Sequence, residues 1–170
     1  FALVGNAELA EAENRYLPST SRKIKSVVLA ASRGSAFGEL TKDKPKAMLD
    51  VRGQPLLRRL VQTINETGLN DITVIRGYKK EAIDLPSISY IDNDRYAETR
   101  SVGSLACATD ELEGECIVSY GDILFRPHVL NGLLERSEDV VIAVDAQRQQ
   151  DKDGKAELVR CSKPYDGDYF

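Results

Sequence analysis

The sequence predicts an α/β fold, a mostly parallel sheet with helices on both faces. Three observations support this. Val27, Val28, Leu29, Ala30 and Ala31 form a continuous apolar run, the pattern of a strand covered on both faces. Further strand-like segments alternate along the chain with stretches of helical periodicity. The chain has 170 residues, 42% hydrophobic and 29% charged, which is ordinary for a soluble globular domain with a substantial core.

Residues 1–23 read as a separate region, a linker helix and joint to something upstream, with the domain itself over 24–170. Ala7 to Tyr16 is acidic and a good helix former, and Leu17-Pro18-Ser19-Thr20-Ser21 breaks it. The chain opens on Phe1 rather than Met, which fits a piece of a longer or processed protein. Ile24 to Ala31 is the first strand. Gln54 to Gly68 is a helix, with Pro55 in its first turn, Leu56, Leu57, Leu60, Val61 and Ile64 at helical spacing, and Gly68 as its stop. Asp71 to Arg76 is the second strand. Gly77-Tyr78 turns into a short helix from Lys79 to about Ile83, and Ile88 to Ile91 is the third strand.

Asn93 to Arg100 reads as a polar loop, followed by a helix from Val102 to Leu112 with Ser101 as its cap. Glu115 to Ser119 is the fourth strand and runs into Tyr120-Gly121-Asp122. Pro127 to Arg136 is a helix and Asp139 to Asp145 the fifth strand. Gln147 to Phe170 holds a polar loop or hairpin tip and a strand edge at Leu158 to Cys161. No closing element follows, so the fold is expected to be truncated at the C-terminus.

Composition excludes several classes. The net charge of −4 argues against broad nucleic-acid binding. No apolar run approaches the roughly 20 residues of a membrane span, and the start lacks the basic and apolar regions of a signal peptide. Cys107, Cys116 and Cys161 are scattered, with no C-x-x-C, so neither a zinc site nor a disulfide framework is expected. The expectation is a cytoplasmic protein without nucleic-acid or membrane partners. The sequence leaves homo-oligomerisation open.

The stretch from Val27 to Pro55 organises the chain: a buried strand, a Gly/Ser turn, a basic loop around Lys42, Lys44 and Lys46, and a Gly-x-Pro step into a helix. That order suits a nucleoside triphosphate site, because a Gly/Ser turn presents backbone N–H groups and lysines supply positive charge. Neither the P-loop nor the dinucleotide fingerprint is present. Alone, Ser32 to Gly38 is an ordinary surface turn, the lysines a solvated charge run, and Gly121-Asp122 a strand-end turn. His128, in the first turn of a helix, is given no catalytic role.

Taken together, VVLAASRGSAFGELTKDKPKAMLDVRGQPLL resembles the signature of the nucleotidyltransferase family that makes nucleotide sugars and CDP-alcohols. Its usual form is L-A-A-G-x-G-[ST]-R, then P-K-x-[LM]-[LV], then G-x-P. GYKKE, the loop NDRYAETRSVGSL and the strand end SYGD resemble its cytidylyltransferase branch, so the likeness covers residues 24–145. LAASRG, with AELAEAENRYLP before it, is similar to the C-terminal cytidylyltransferase domain fused to phosphoenolpyruvate mutase in phosphonate biosynthesis.

The resemblance implies a Rossmann-like fold of the nucleotide-diphospho-sugar transferase type. It implies transfer of CMP from CTP to a phosphonate, 2-hydroxyethylphosphonate or 2-aminoethylphosphonate, with release of pyrophosphate. Leu29, Ala30, Ala31, Ser32, Arg33, Gly34 and Ser35 would cradle the nucleotide. Lys46 would bind the α-phosphate, Asp122 would hold Mg²⁺, Gly103 and Ser104 would face the base or ribose, and Tyr78 and Lys79 would meet the acceptor. Two departures stand out. Ala36 replaces the arginine that grips the leaving pyrophosphate, for which Arg33 or Lys42 would have to substitute. The second metal carboxylate has only Asp166 and Asp168 as candidates. Competing readings are a sugar 1-phosphate or phosphocholine acceptor, a non-catalytic nucleotide-binding domain, and a glycosyltransferase using Asp92-Asn93-Asp94 as a D-x-D metal motif.

Overall fold

A computed structural model describes residues 2–4, 23–145 and 159. The linker helix expected at Ala7 to Tyr16, and Asp166 and Asp168, lie outside the described residues, as does the strand edge expected at 158–161 apart from Val159, which is exposed and in no strand. The elements are β1 (Ala2–Val4), β2 (Lys25–Leu29), α1 (Leu56–Glu66), β3 (Ile72–Arg76), β4 (Ser89–Asp92), α2 (Tyr96–Ala106), β5 (Cys116–Tyr120), α3 (Pro127–Leu134) and β6 (Val140–Ile142). They form a six-stranded sheet in the order β4-β3-β2-β5-β1-β6.

The four strands β4, β3, β2 and β5 are parallel neighbours. The chain steps outward from β2 to β3 and β4, then crosses back to β5 on the other side of β2. The loops leaving the C-terminal ends of β2 and β5 therefore diverge, which opens a crevice at the reversal of strand order. The continuous apolar run of β2 is explained by its two faces. Val28 and Ala30 join a core with Leu57, Leu60 and Ile64 of α1 and Leu130 and Leu133 of α3. Val27 and Ala31 join the opposite core, where Tyr96 and Leu105 of α2 pack against the sheet. In α1 the buried positions Leu57, Leu60, Val61 and Ile64 recur at helical spacing, as expected.

Three elements differ from the sequence expectation. Ala2–Val4 lies inside the sheet, antiparallel to both β5 and β6, so the separate region read over 1–23 does not hold for these three residues. A three-residue strand is too short for a periodicity to show. The polar loop expected over 93–100 is largely helical: α2 begins at Tyr96, kinks at Arg100 (φ 53°, ψ −160°) and ends at Ala106. Thr109–Leu112 follows as a separate 3₁₀ turn. Ser101 therefore opens the second helical segment, just after the Arg100 kink, with Arg100 in the position expected of Ser101 as its cap. Hydrogen bonds replace apolar spacing here. The Asn93 amide donates to Thr99 Oγ1 at 2.9 Å and to Ser104 Oγ at 3.0 Å, and its Oδ1 accepts from the Arg95 N–H at 3.0 Å. Finally, β6 spans only Val140–Ile142 of the expected 139–145.

Candidate active site

The loop after β2 is folded on itself and carries the candidate catalytic lysine. Gly34 is left-handed at φ 76°. Thr41 is fully buried, and its hydroxyl is shared between the carbonyls of Gly34 (3.1 Å) and Gly38 (3.3 Å). Arg33 Nε donates to the Thr41 carbonyl at 3.3 Å, closing the loop from the other side. The Lys46 N–H donates to the Arg33 carbonyl at 3.1 Å, which brings Lys46 back over the turn. Its stem then lies on Gly34: a Cβ there would meet Lys46 Cβ at 2.7 Å and Cδ at 2.9 Å.

β5 supplies the opposing charge. The Gly121 N–H donates to the Leu29 carbonyl at 2.9 Å, continuing the β2–β5 ladder past the strand ends. The next residue, Asp122, places Oδ2 2.8 Å from Lys46 Nζ, with about a quarter of each side chain exposed. The two catalytic candidates, 76 positions apart in sequence (122 − 46), thus form one ion pair at the mouth of the crevice.

The other candidates distribute as follows. Leu29 to Ser35 lead into and form this loop. Tyr78 is tied to the same loop: its N–H donates to the Ala31 carbonyl at 2.9 Å and its hydroxyl to the Lys42 carbonyl at 2.5 Å. Lys79 is exposed and left-handed at φ 46°, which turns the chain away. Gly103 and Ser104 belong to a different network inside α2. Ser104 is buried, with its hydroxyl donating to the Arg100 carbonyl at 3.0 Å while accepting from Asn93. Gly103 packs against Thr99, so close that a Cβ would meet Thr99 Cβ at 2.2 Å. Ser104 therefore supports the helix rather than offering a free hydroxyl. An open, largely apolar cleft of about 210 Å³ lies beside this helix, lined by Leu29, Ser101, Val102, Leu105, Tyr120 and Ile142. Sequence reasoning missed this cleft and Thr41, and it read Asn93 only as part of a polar loop or a D-x-D triplet; the importance of both residues comes from burial.

The Asp92-Asn93-Asp94 triplet is used differently from a D-x-D motif. Asp92 pairs with Arg76 (2.9 Å) and Lys80 (3.3 Å), Asp94 with Lys80 (2.8 Å), and the Asn93 side chain is buried. Burial alone would raise the Asp92 pKa, but the hydrogen bonds from Arg76 and Lys80 prevail and hold it below its ordinary value. The bond to Asp94, and then that to Asp92, raise the Lys80 pKa. Both carboxylates are thus neutralised by cations.

For a metal, the donor chemistry at Asp122 fits a hard cation. Among the described residues no group of three or more His, Cys, Asp or Glu forms a protein-only cage. Magnesium is commonly held by one or two carboxylates together with substrate phosphates, and Asp122 could supply one such carboxylate. Also among these residues, no helix is long and apolar enough to cross a membrane.

The chain matches the MobA-like NTP transferase domain over residues 26–157. It is 32% identical to choline-phosphate cytidylyltransferase of Streptococcus pneumoniae over 65% of this chain and 50% of that protein. It is 28% identical to 2-aminoethylphosphonate cytidylyltransferase of Lancefieldella rimae, covering 62% of this chain and 46% of that protein. A CMP-5'-(3-aminopropyl)phosphonate synthase of Streptomyces rubellomurinus is also 28% identical, over 77% of this chain and 22% of its own length. The solved CTP:phosphocholine cytidylyltransferase of Streptococcus pneumoniae superposes with a TM-score of 0.56, over 62% of this chain and 50% of that one. The chain spans about half the length of the first of these curated relatives. A mostly parallel sheet of reversed strand order, a Gly-turn loop closed under a lysine, and cytidylyltransferase relatives agree: this chain belongs to the MobA-like NTP transferase family.

Proposed function

We propose that the protein is a Mg²⁺-dependent cytidylyltransferase that transfers CMP from CTP to a small phosphonate such as 2-aminoethylphosphonate or 2-hydroxyethylphosphonate. The observation that carries the reading is the Lys46–Asp122 pair at the reversal point of the sheet, beneath the folded 30–46 loop. An ionised phosphonate oxygen attacks the α-phosphorus in line, the bond to the β-phosphate oxygen breaks, and pyrophosphate leaves. The acceptor is already an anion, so no general base is required, and catalysis is positioning and charge neutralisation. Lys46 exchanges its carboxylate partner for the α-phosphate and stabilises the charge that builds there. Asp122, released from Lys46, is free to hold the metal. Mg²⁺, when bound, offsets the charge of the triphosphate. The cleft beside Leu29, Ser101 and Tyr120 offers an apolar surface for the base.

Lys46→Ala and Asp122→Ala should each lower kcat by about 100-fold or more. Each should cost only about 1 kcal/mol of stability or less, because the pair is partly exposed. Equal losses of turnover and melting temperature would count against these roles. Phosphocholine is the second acceptor reading, favoured by the 32% identity to a choline-phosphate cytidylyltransferase. Pyrophosphate release by the full-length protein decides the reaction. Each of the nucleoside triphosphates is offered with Mg²⁺ against phosphonates, phosphocholine and sugar 1-phosphates. Release with CTP and a phosphonate alone is the expected result. Release with phosphocholine changes the acceptor, and CTP binding without any release points to a non-catalytic domain in which Ala36 is decisive.

A further inference from the structure

Tyr78 follows β3 and reaches back to both ends of the triphosphate loop. Its backbone N–H holds the Ala31 carbonyl where the loop begins, and its hydroxyl holds the Lys42 carbonyl where the loop ends. The approach is close enough to require glycine at the preceding position: a Cβ on Gly77 would lie 2.7 Å from the Ala31 carbonyl oxygen and 2.8 Å from Tyr96 Cβ. Between the two anchor points, the Arg33 guanidinium sits 5.5 Å from the centre of the Tyr78 ring while Nε donates to the Thr41 carbonyl. Edge contact with Tyr96, centroids 6.1 Å apart, fixes the ring from behind. A hydroxyl bonded to a backbone carbonyl at 2.5 Å has already committed its one proton and has none to donate to the anionic oxygens of an acceptor substrate.

We infer that Tyr78 is a positioning residue for the nucleotide rather than an acceptor contact, holding the 31–42 loop in its phosphate-receiving shape and seating Arg33 on that loop. This rests on the cytidylyltransferase reading. Arg33 is the cation nearest in sequence to Ala36, where the family signature has arginine, and Tyr78 with the Thr41 carbonyl sets where its guanidinium points. Tyr78 thus acts on the triphosphate through two groups, the loop backbone and Arg33.

The test is Tyr78→Phe in the full-length protein, which removes the hydroxyl and keeps the ring under Arg33. Loss of one hydrogen bond predicts about fivefold weaker CTP binding by calorimetry and a matching rise in the KM for CTP. The acceptor KM should stay close to wild type, and the melting temperature should fall only by the modest amount that loss of one partly exposed hydrogen bond entails. Amide hydrogen exchange should quicken across residues 33–42 and be unchanged in β2 and β3, a readout that needs no turnover. Tyr78→Leu, which also removes the ring under Arg33, should weaken CTP binding further. A raised acceptor KM with unchanged CTP binding and unchanged loop exchange would overturn the inference and restore Tyr78 as an acceptor contact. Absence of CTP binding by the wild type would instead overturn the cytidylyltransferase reading, and the exchange experiment would still report on the loop.

Discussion

Gly34 is required twice over. Its φ of 76° lies where side chains are disfavoured, and Lys46 occupies the space a Cβ would need. Gly34→Ala should therefore cost about 1–2 kcal/mol from backbone conformation alone. It should also lower turnover by displacing Lys46, which thermal melting and steady-state kinetics would separate. Thr41 shows the opposite kind of legibility. Nothing about a threonine between Leu40 and Lys42 marks it in sequence, yet it is fully buried and ties Gly34 and Gly38 together. Thr41→Val keeps its shape and leaves those carbonyls without their donor, at a cost of about 1–3 kcal/mol in a melt. Gly34 was readable as a loop glycine and Lys46 as a cation of the basic stretch that follows it. That they touch was not, because the contact is set by how the 35–45 segment folds back.

The element the sequence misjudged is α2. Its first turn offers only Tyr96 to the core, too little for an apolar stripe, so periodicity assigns it to a loop. The structure makes it helical through Asn93, buried and bonded to Thr99, Ser104 and the Arg95 N–H. Asn93→Ala should remove these together and leave the Ser104 hydroxyl with one partner fewer, destabilising the protein by about 2–3 kcal/mol in a denaturant melt. Arg100 marks the joint, with φ 53° and ψ −160° in a region used almost only by glycine. Arg100→Gly should relieve that conformation and raise the melting temperature, by about 1 kcal/mol of stability. A lowered midpoint would show that the Arg100 side chain contributes more than its backbone conformation costs.

At the scale of the whole molecule, the far end of the sheet is held by charge. Asp92 and Asp94 close on Arg76 and Lys80, and the Arg76 guanidinium also stacks 4.0 Å from the centre of the Tyr90 ring. The Asp92 pKa is lowered on folding, so its contribution to stability is present above its ordinary value of 3.8 and is lost as pH falls through the lower folded value. Wild type and Asp92→Asn should differ in melting temperature near neutral pH, and that difference should shrink as the pH drops below about 3.8. A constant difference across the acid range would mean that Asp92 acts through geometry and not through its charge.

The sequence by itself determined the α/β class, the two-sided burial of β2 and the amphipathic α1, while Lys46 and Asp122 were singled out, separately, only through the resemblance to the nucleotidyltransferase signature. These follow from local periodicity and from motifs confined to a few adjacent residues, which a linear reading can see. Only the tertiary structure decided that Lys46 and Asp122 meet at the β2–β5 reversal, that Tyr78 serves the loop after β2, and that Asp92 and Asp94 answer to arginine and lysine. Each of those outcomes depends on the crossover that returns the chain to the other side of β2, or on a hydrogen bond between residues far apart in sequence. Strand order and long-range contact are set by packing of whole elements and leave no periodic trace along the chain. The three residues of β1 are the limiting case, since their place between β5 and β6 is set by strand pairing alone.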